Sequence, residues 1–189
     1  MVTFFVGLSR NAMESFAVLP VLNALVFIFR SFGLSYQEAV IALINETKDY
    51  KAIRDFERML AIAVVAGLAM ISLTPLSDFW FIQISGLSAE LTSFAKVPLI
   101  IYTIYPALTV MISFQRGILV CSKNTQPITL ASFLEVAGVA FTLFIGIKYF
   151  DLVGVTAAII AYIAGRILSN LYLAKSFVKA RENLERQVS

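Results

Sequence analysis

Histidine is absent from the chain and cysteine occurs once, at Cys121. A zinc or haem centre built from those residues is therefore not expected, and one thiol cannot close a disulfide within the chain. Charge is scarce as well: Asp, Glu, Lys and Arg make up 14% of the residues, where soluble domains carry about 25%. No phosphate loop, nucleophile elbow or metal-ligand spacing is present, nor any Asp-rich catalytic cluster. The composition thus points away from an enzyme, and no cofactor or metal is expected. The net charge of +3 is not gathered into a basic stripe with interleaved aromatics, so no nucleic-acid partner is expected either.

What the sequence does have is apolar residues in blocks. They amount to 59% of the chain, and several runs approach the roughly 20 residues needed to cross a hydrocarbon core about 30 Å thick. The expectation is an all-α, polytopic integral membrane helical bundle of about six membrane helices, with the lipid bilayer as its solvent. The runs cover residues 11–30, a short stretch 34–45, then 56–76, 91–120, 127–149 and 152–178, followed by a charged tail, 179–189. A mixed-charge stretch from Glu46 to Arg58 has the spacing of a solvated helix start. Pro75 marks the end of the third run, and Pro98 and Pro106 predict kinks in the fourth. Pro127 fits the first turn of the fifth. Trp80 lies where an interfacial anchor belongs, and Lys96 reads as a second anchor. The opening MVTFFVGLSRN lacks the basic region and cleavage site of a signal peptide. It starts almost inside the first helix, as a truncated protein or half of a longer one would.

Basic residues suggest an orientation. If the first run starts in the cytoplasm, then Arg10, the Lys48–Arg58 cluster, Arg116, Lys123, Lys175, Lys179, Arg181 and Arg186 all fall inside. The opposite loops hold Asp78, Glu90 and Asp151, with Lys148 the sole basic residue among them. That asymmetry follows the positive-inside rule and places the C-terminus in the cytoplasm. It requires the short run 34–45 to count as a crossing.

Ionisable and polar residues inside the runs are the candidates for function, because a charge at mid-span costs roughly 2.5–3.5 kcal/mol on insertion scales. Arg166 lies about fourteen residues into the last run, roughly 21 Å of helix rise. Tyr162, Arg166 and Asn170 repeat at four-residue spacing and share a face. Ala157, Ala161, Gly165 and Ser169 form a small-residue seam on the adjacent face, suited to close helix packing. In the fourth run Tyr102, Tyr105, Thr109, Ser113 and Arg116 make a hydroxyl-rich stripe. Two readings stand for these residues: a water-accessible pathway, or ordinary pairing that holds the bundle together. Glu135, with Ser132 and Thr142 on its side, is a natural partner for Arg166 and a candidate for ion coupling, together with Glu14 and Glu38. Glu14 has Arg10 four residues earlier, and Glu38 has Arg30 nearby. Asn23 adds a polar group to the first run.

Phe56–Leu173 resembles the last four helices of flippases of the multidrug/oligosaccharidyl-lipid/polysaccharide superfamily. The features are a charged helix entry, a Pro-Leu exit followed by GLSAEL, and the stretch FQRGILVCSKNTQPITLASF, in which Arg116, Gly117, Thr125 and Pro127 match the family's loop pattern. DLVGVTAAIIAYIAGRILSNLYL resembles its last hairpin, and the first run with Pro20 resembles the helix that opens the second six-helix lobe. The resemblance implies one lobe of a MATE-like secondary transporter or lipid-linked saccharide flippase in a bacterial inner membrane. It would work by alternating access, driven by protons or sodium. A second six-helix lobe, in the same chain or a second copy, would complete the pathway. The arginines would favour an anionic lipid-linked or small organic substrate. Drug-extruding, polysaccharide-lipid, peptidoglycan-precursor and pyrophosphate-exporting branches are all compatible. The rival from another class is a non-transporting membrane scaffold or assembly subunit, in which the buried charges simply pair off.

Overall fold

Between Asn11 and Thr47 little in the sequence stops a helix. Pro20 lies inside the run and Gly33 is its one glycine. A computed structural model describes residues 1–47 and 50–188, with side chains for 1–44 and 50–180. Lys48, Asp49 and Ser189, and the side chains of Glu46, Arg181 and Arg186, lie outside that description. After a short helix α1 (Val2–Gly7) comes one unbroken helix, α2 (Ala12–Thr47). The runs expected separately at 11–30 and 34–45 are its two halves. Ser31 donates its hydroxyl to the carbonyl of Ile28 at 2.6 Å and keeps the helical turn. Gly33 serves packing instead of a hinge: a Cβ there would lie 3.0 Å from the backbone nitrogen of Val110.

Helix α3 (Tyr50–Ser72) takes the charged stretch into its first turns, where Arg58 pairs with Asp55 at 3.6 Å. Past Pro75 the chain bends by 82° into α4 (Leu76–Asp78), which continues as a π-helical turn, Phe79–Ile84. Trp80, expected as an interfacial anchor, is half-buried there against the core between α2 and α5. Gly86 adopts φ +69°, a left-handed turn that glycine enters without a Cβ clash. Ser88 then caps α5 (Ala89–Tyr102) by accepting from the backbone N–H of Leu91. The fourth run does not continue as one helix. Pro106 cannot donate to the carbonyl of Tyr102, and the chain breaks at Thr103–Ile104 before α6 (Tyr105–Cys121). Pro98, by contrast, is absorbed inside α5. The last hairpin is α7 (Gln126–Lys148), with Pro127 in its first turn, and α8 (Gly154–Val188).

Among the described residues four spans are long and apolar enough to cross a membrane: Ala12–Ile44, Ala89–Cys121, Gln126–Lys148 and Gly154–Ala180. The bent pair Tyr50–Ser72 and Leu76–Ile84 adds a fifth when counted as one broken span. The protein is thus an all-α membrane protein with four or five such spans, where the sequence led us to expect six. The difference is the stretch 34–45, which is not a separate crossing. Large apolar side chains stand exposed along the flanks, Met59 and Ile62 on α3 and Phe133, Val136 and Phe141 on α7 among them, as hydrocarbon contact requires.

Side-chain pairings fix the helix directions. Asn23 meets Tyr102, Gly33 meets Val110, and Val40 meets Gly117, so α2 runs parallel to α5–α6 along its length. Arg166 meets Tyr105, Asn170 meets Leu108, and Phe177 meets Phe114, so α8 runs parallel to them too. Arg10 therefore sits at the start of these helices, 3.4 Å from Asp151, with its carbonyl accepting from the N–H of Gly154. The sequence-based orientation placed Arg10 at the opposite end, with Lys123. That placement is corrected, because a single helix, not two, carries the chain from Arg10 to the α3 charges.

The small-residue seam of α8 packs against α7 as its spacing predicts. A Cβ on Gly165 would stand 2.7 Å from the carbonyl oxygen of Glu135, and one on Gly138 would stand 3.3 Å from the Cα of Gly165. Replacing Gly165 with Ala forces the two backbones apart. The expected cost is about 1–3 kcal/mol, the usual range for overpacking, read as a lower melting temperature in detergent. A Cys121→Ser protein carrying Leu8→Cys or Tyr149→Cys should be labelled from one side of a membrane, and one carrying Ser122→Cys from the other. Labelling of Leu8→Cys and Ser122→Cys from the same side would refute the single crossing by α2.

Candidate functional site

Arg166 lies twelve residues into α8, near the middle of the span Gly154–Ala180. Its side chain is 8% exposed and its guanidinium is 3.0 Å from the carboxylate of Glu135. Glu135 comes from α7, nine residues after Gln126, and is itself 19% exposed. Arg116 of α6 approaches the same carboxylate at 4.0 Å and donates to the hydroxyl of Ser132 at 3.3 Å. Helix geometry explains the meeting. Side chains tilt toward the N-terminus of their own helix, so on the antiparallel hairpin Arg116 leans away from the 122–125 loop while Glu135 leans toward it. Helices α6 and α7 share little close backbone contact, since α8 packs against both. The Arg116–Glu135–Arg166 bridge links them, beside apolar packing that includes Ile118 and Ala131.

The break before Pro106 puts Tyr105 at the start of α6, and this residue is the hub of the site. Its hydroxyl accepts from Arg166 at 3.1 Å. Its ring lies under two guanidinium groups, with the Cζ of Arg166 at 5.3 Å and that of Arg30 at 4.9 Å from the centroid. Such cation–π contacts contribute roughly 0.5–2 kcal/mol each. The rings of Tyr102, Tyr105 and Tyr162 form a cluster with centroids 5.1–6.4 Å apart. Tyr102 in turn donates to the side-chain oxygen of Asn23 at 2.9 Å. Asn170, one turn below Arg166, donates to the carbonyls of Leu108 and Arg166.

Eight residues singled out in the sequence therefore come together across five helices: Asn23, Tyr102, Tyr105, Arg116, Glu135, Tyr162, Arg166 and Asn170. Thr109 and Ser113 are buried on α6, but the Thr109 hydroxyl is used on its own helix, donating to the carbonyl of Tyr105 at 3.2 Å. Glu14 and Glu38 lie elsewhere. Arg10 pairs with Asp151 and not with Glu14; Glu38 is exposed and forms no ion pair with Arg30 among the described residues. Lys96, near the far end, pairs with Asp78 at 2.8 Å across the turn between α4 and α5.

Arg30 is the site residue that sequence reasoning missed. It was assigned to Glu38 by proximity along the chain. The available signal was its spacing of seven from Asn23, two helical turns on the same face of α2. Among the described residues Arg30 has no carboxylate partner. Arg116 and Arg166 thus share one carboxylate while Arg30 lies over the Tyr105 ring with none, an excess of two positive charges among the three. The Nε atoms of Arg30, Arg116 and Arg166 are all buried without a hydrogen-bond partner. Leaving such donors unmatched costs on the order of 1–3 kcal/mol each.

Comparison of the chain with protein-family models, curated proteins and solved structures found no match.

Removing the shared carboxylate should expose how much the bundle depends on it. Glu135→Gln leaves Arg116 and Arg166 facing each other, and breaking a buried pair in this way costs about 3–5 kcal/mol. The melting temperature of the purified protein should fall further than for Arg116→Gln, whose ion pair is longer. Glu135→Leu combined with Arg166→Leu should recover much of the loss, because the double change leaves neither member of the closer pair uncompensated.

Proposed function

We propose that this chain is a membrane-transport lobe, part of a secondary transporter or lipid-linked saccharide flippase that works by alternating access. The observation that carries this reading is the charge imbalance at mid-span. Structural ion pairs balance, as Lys96 with Asp78 and Arg10 with Asp151 do. The central group does not: Arg116 and Arg166 share Glu135, and Arg30, over the Tyr105 ring, has no carboxylate among the described residues. Ionisable residues at such depth mark substrate or ion pathways by default. The resemblance of Phe56–Leu173 to the C-terminal lobe of MATE-like flippases supports the same reading. On it, Glu135 is the coupling carboxylate, and a second lobe completes the pathway.

The helix directions bear on orientation. Lys51, Arg54, Arg58, Lys123, Lys175 and Lys179 lie at the end where α2, α6 and α8 finish, whereas the other end holds Asp78, Glu90 and Asp151 with Arg10, Lys96 and Lys148. We take the basic end, with the C-terminus, to be cytoplasmic in a bacterial inner membrane.

One observation favours the rival, a scaffold or assembly subunit: Glu135 ties α6, α7 and α8 together, as a purely structural bridge would. Transport by the reconstituted protein separates the two. Proteoliposomes carrying a fluorescent anionic lipid should lose more signal to an external quencher than protein-free vesicles do, and Arg166→Ala should abolish the difference. Vesicles with folded protein that behave like empty ones, for anionic and zwitterionic probes alike, would favour the scaffold.

A further inference from the structure

We infer that a cavity at the loop end of the α7–α8 hairpin takes one acyl chain of an anionic phospholipid, with the headgroup held at Lys148. This rests on the helices lying in a membrane and not on transport. The cavity has a volume of about 230 Å³ and lies between Ile145 and Gly146 of α7, Phe150 and Leu152 of the loop, and Ala157 and Ile160 of α8. Small residues leave room for it: Gly146 has no side chain, and a Cβ there would lie 3.3 Å from the Cδ1 of Leu152 and 3.8 Å from the Cβ of Ala157. Phe150 is 69% exposed, and Ile145 and Ile160 are half-buried. The cavity therefore opens on the flank of the hairpin, away from the polar centre.

Its shape and lining suit a hydrocarbon chain. It reaches from the loop to Thr142 and Ile160, six residues into each helix, or roughly 9 Å of rise. No charged side chain lines it, and Thr142 supplies its one hydroxyl. The volume is below the roughly 300 Å³ at which sites for drug-sized molecules begin, and apolar space of this kind stays dry. Hydrocarbon alone does not choose between lipids, because their tails are equally apolar. Charge does. Arg10 takes up Asp151 at 3.4 Å and Lys96 takes up Asp78 at 2.8 Å. Lys148, in the last turn of α7, has no ion pair among the described residues. Its ammonium is drawn back over the exposed Phe144 ring, 5.3 Å from the centroid. Tyr149, also exposed, follows it at the level where headgroups lie. Lys148 is three residues from Ile145 and two from Phe150, so a headgroup bound there has its chains beside the cavity.

The test uses the purified full chain in phosphatidylcholine nanodiscs that carry a small share of phosphatidylglycerol with a diazirine halfway along one acyl chain. Irradiation cross-links that chain to its neighbours, and peptide mass spectrometry locates the label. Label should concentrate within residues 142–160, above the level at the exposed Met70 and Leu73 of the same end. Unlabelled phosphatidylglycerol should displace it, and added phosphatidylcholine should not. Lys148→Gln should cut the label about fivefold, the share of one lysine in attraction to an anionic lipid, and Lys148→Arg should keep it. Ile160→Trp, which fills the cavity, should bring residues 142–160 down to the level of Met70 and Leu73. The melting temperature reports whether each variant is folded, and Thr142→Leu fills the cavity from α7 if Ile160→Trp is not.

Label spread evenly over the exposed flanks, or displaced equally by phosphatidylcholine, overturns the inference. So does undiminished label on a folded cavity-filling variant or on Lys148→Gln. Disulfide-linked dimers of Phe150→Cys in the Cys121→Ser protein, with no lipid label, would put a second copy on the groove and overturn it as well. Labelling needs no transport, so a protein that moves nothing across vesicles can still keep this inference, and a transporting one can lose it.

Discussion

The ion pair between Arg166 and Glu135 is the constraint around which this bundle is organised. In hydrocarbon a lone guanidinium at mid-span is costly, and so is a lone carboxylate. Each can be tolerated there because the other lies 3.0 Å away. Their meeting requires α7 and α8 to pack closely, and glycine at 138 and 165 makes that possible. The carbonyl of Glu135 itself sits where a Cβ on Gly165 would collide. The polar contact and the small-residue seam are therefore one device: the seam brings the helices within reach, and the pair fixes their register.

The pair does not neutralise its surroundings. Arg116 leans onto the same carboxylate and Arg30 stacks on Tyr105 with none. A bundle built only to stand in lipid would gain from replacing such groups with apolar ones, since a buried ion pair is weak evidence of stability in itself. Retaining three arginines and several unmatched N–H groups is intelligible if something with negative charge visits the site. That is the physical link between the structure and the functional proposal, and it depends on the imbalance more than on any single residue.

The break at Thr103–Ile104 has a comparable role. Pro106 interrupts the long span and places Tyr105 at a helix start, between α2 and α8. Thr103 and Ile104 keep right-handed helical dihedrals there; what Pro106 removes is a backbone hydrogen bond.

By itself the sequence determined the solvent, the helical class and most of the chemistry. Blocks of apolar residues with little charge leave only helices that satisfy their own backbone. Four-residue spacing placed Tyr162, Arg166 and Asn170 on one face with a packing seam beside it, and Glu135 stood out as the carboxylate within reach of Arg166. Local signals of this kind survive because they depend on helix geometry alone. The tertiary structure decided what depends on neighbours. Whether residues 31–33 break a helix turned on Gly33 having Val110 against it, and that one answer reduced the crossings and moved Arg10 to the other end. Whether Arg30 belonged to Glu38 or to the centre turned on which helix lay beside α2. Chain proximity favours Glu38; the seven-residue step from Asn23 puts Arg30 on the candidate face, but only the parallel packing of α2 against α5–α6 makes Tyr105 its partner.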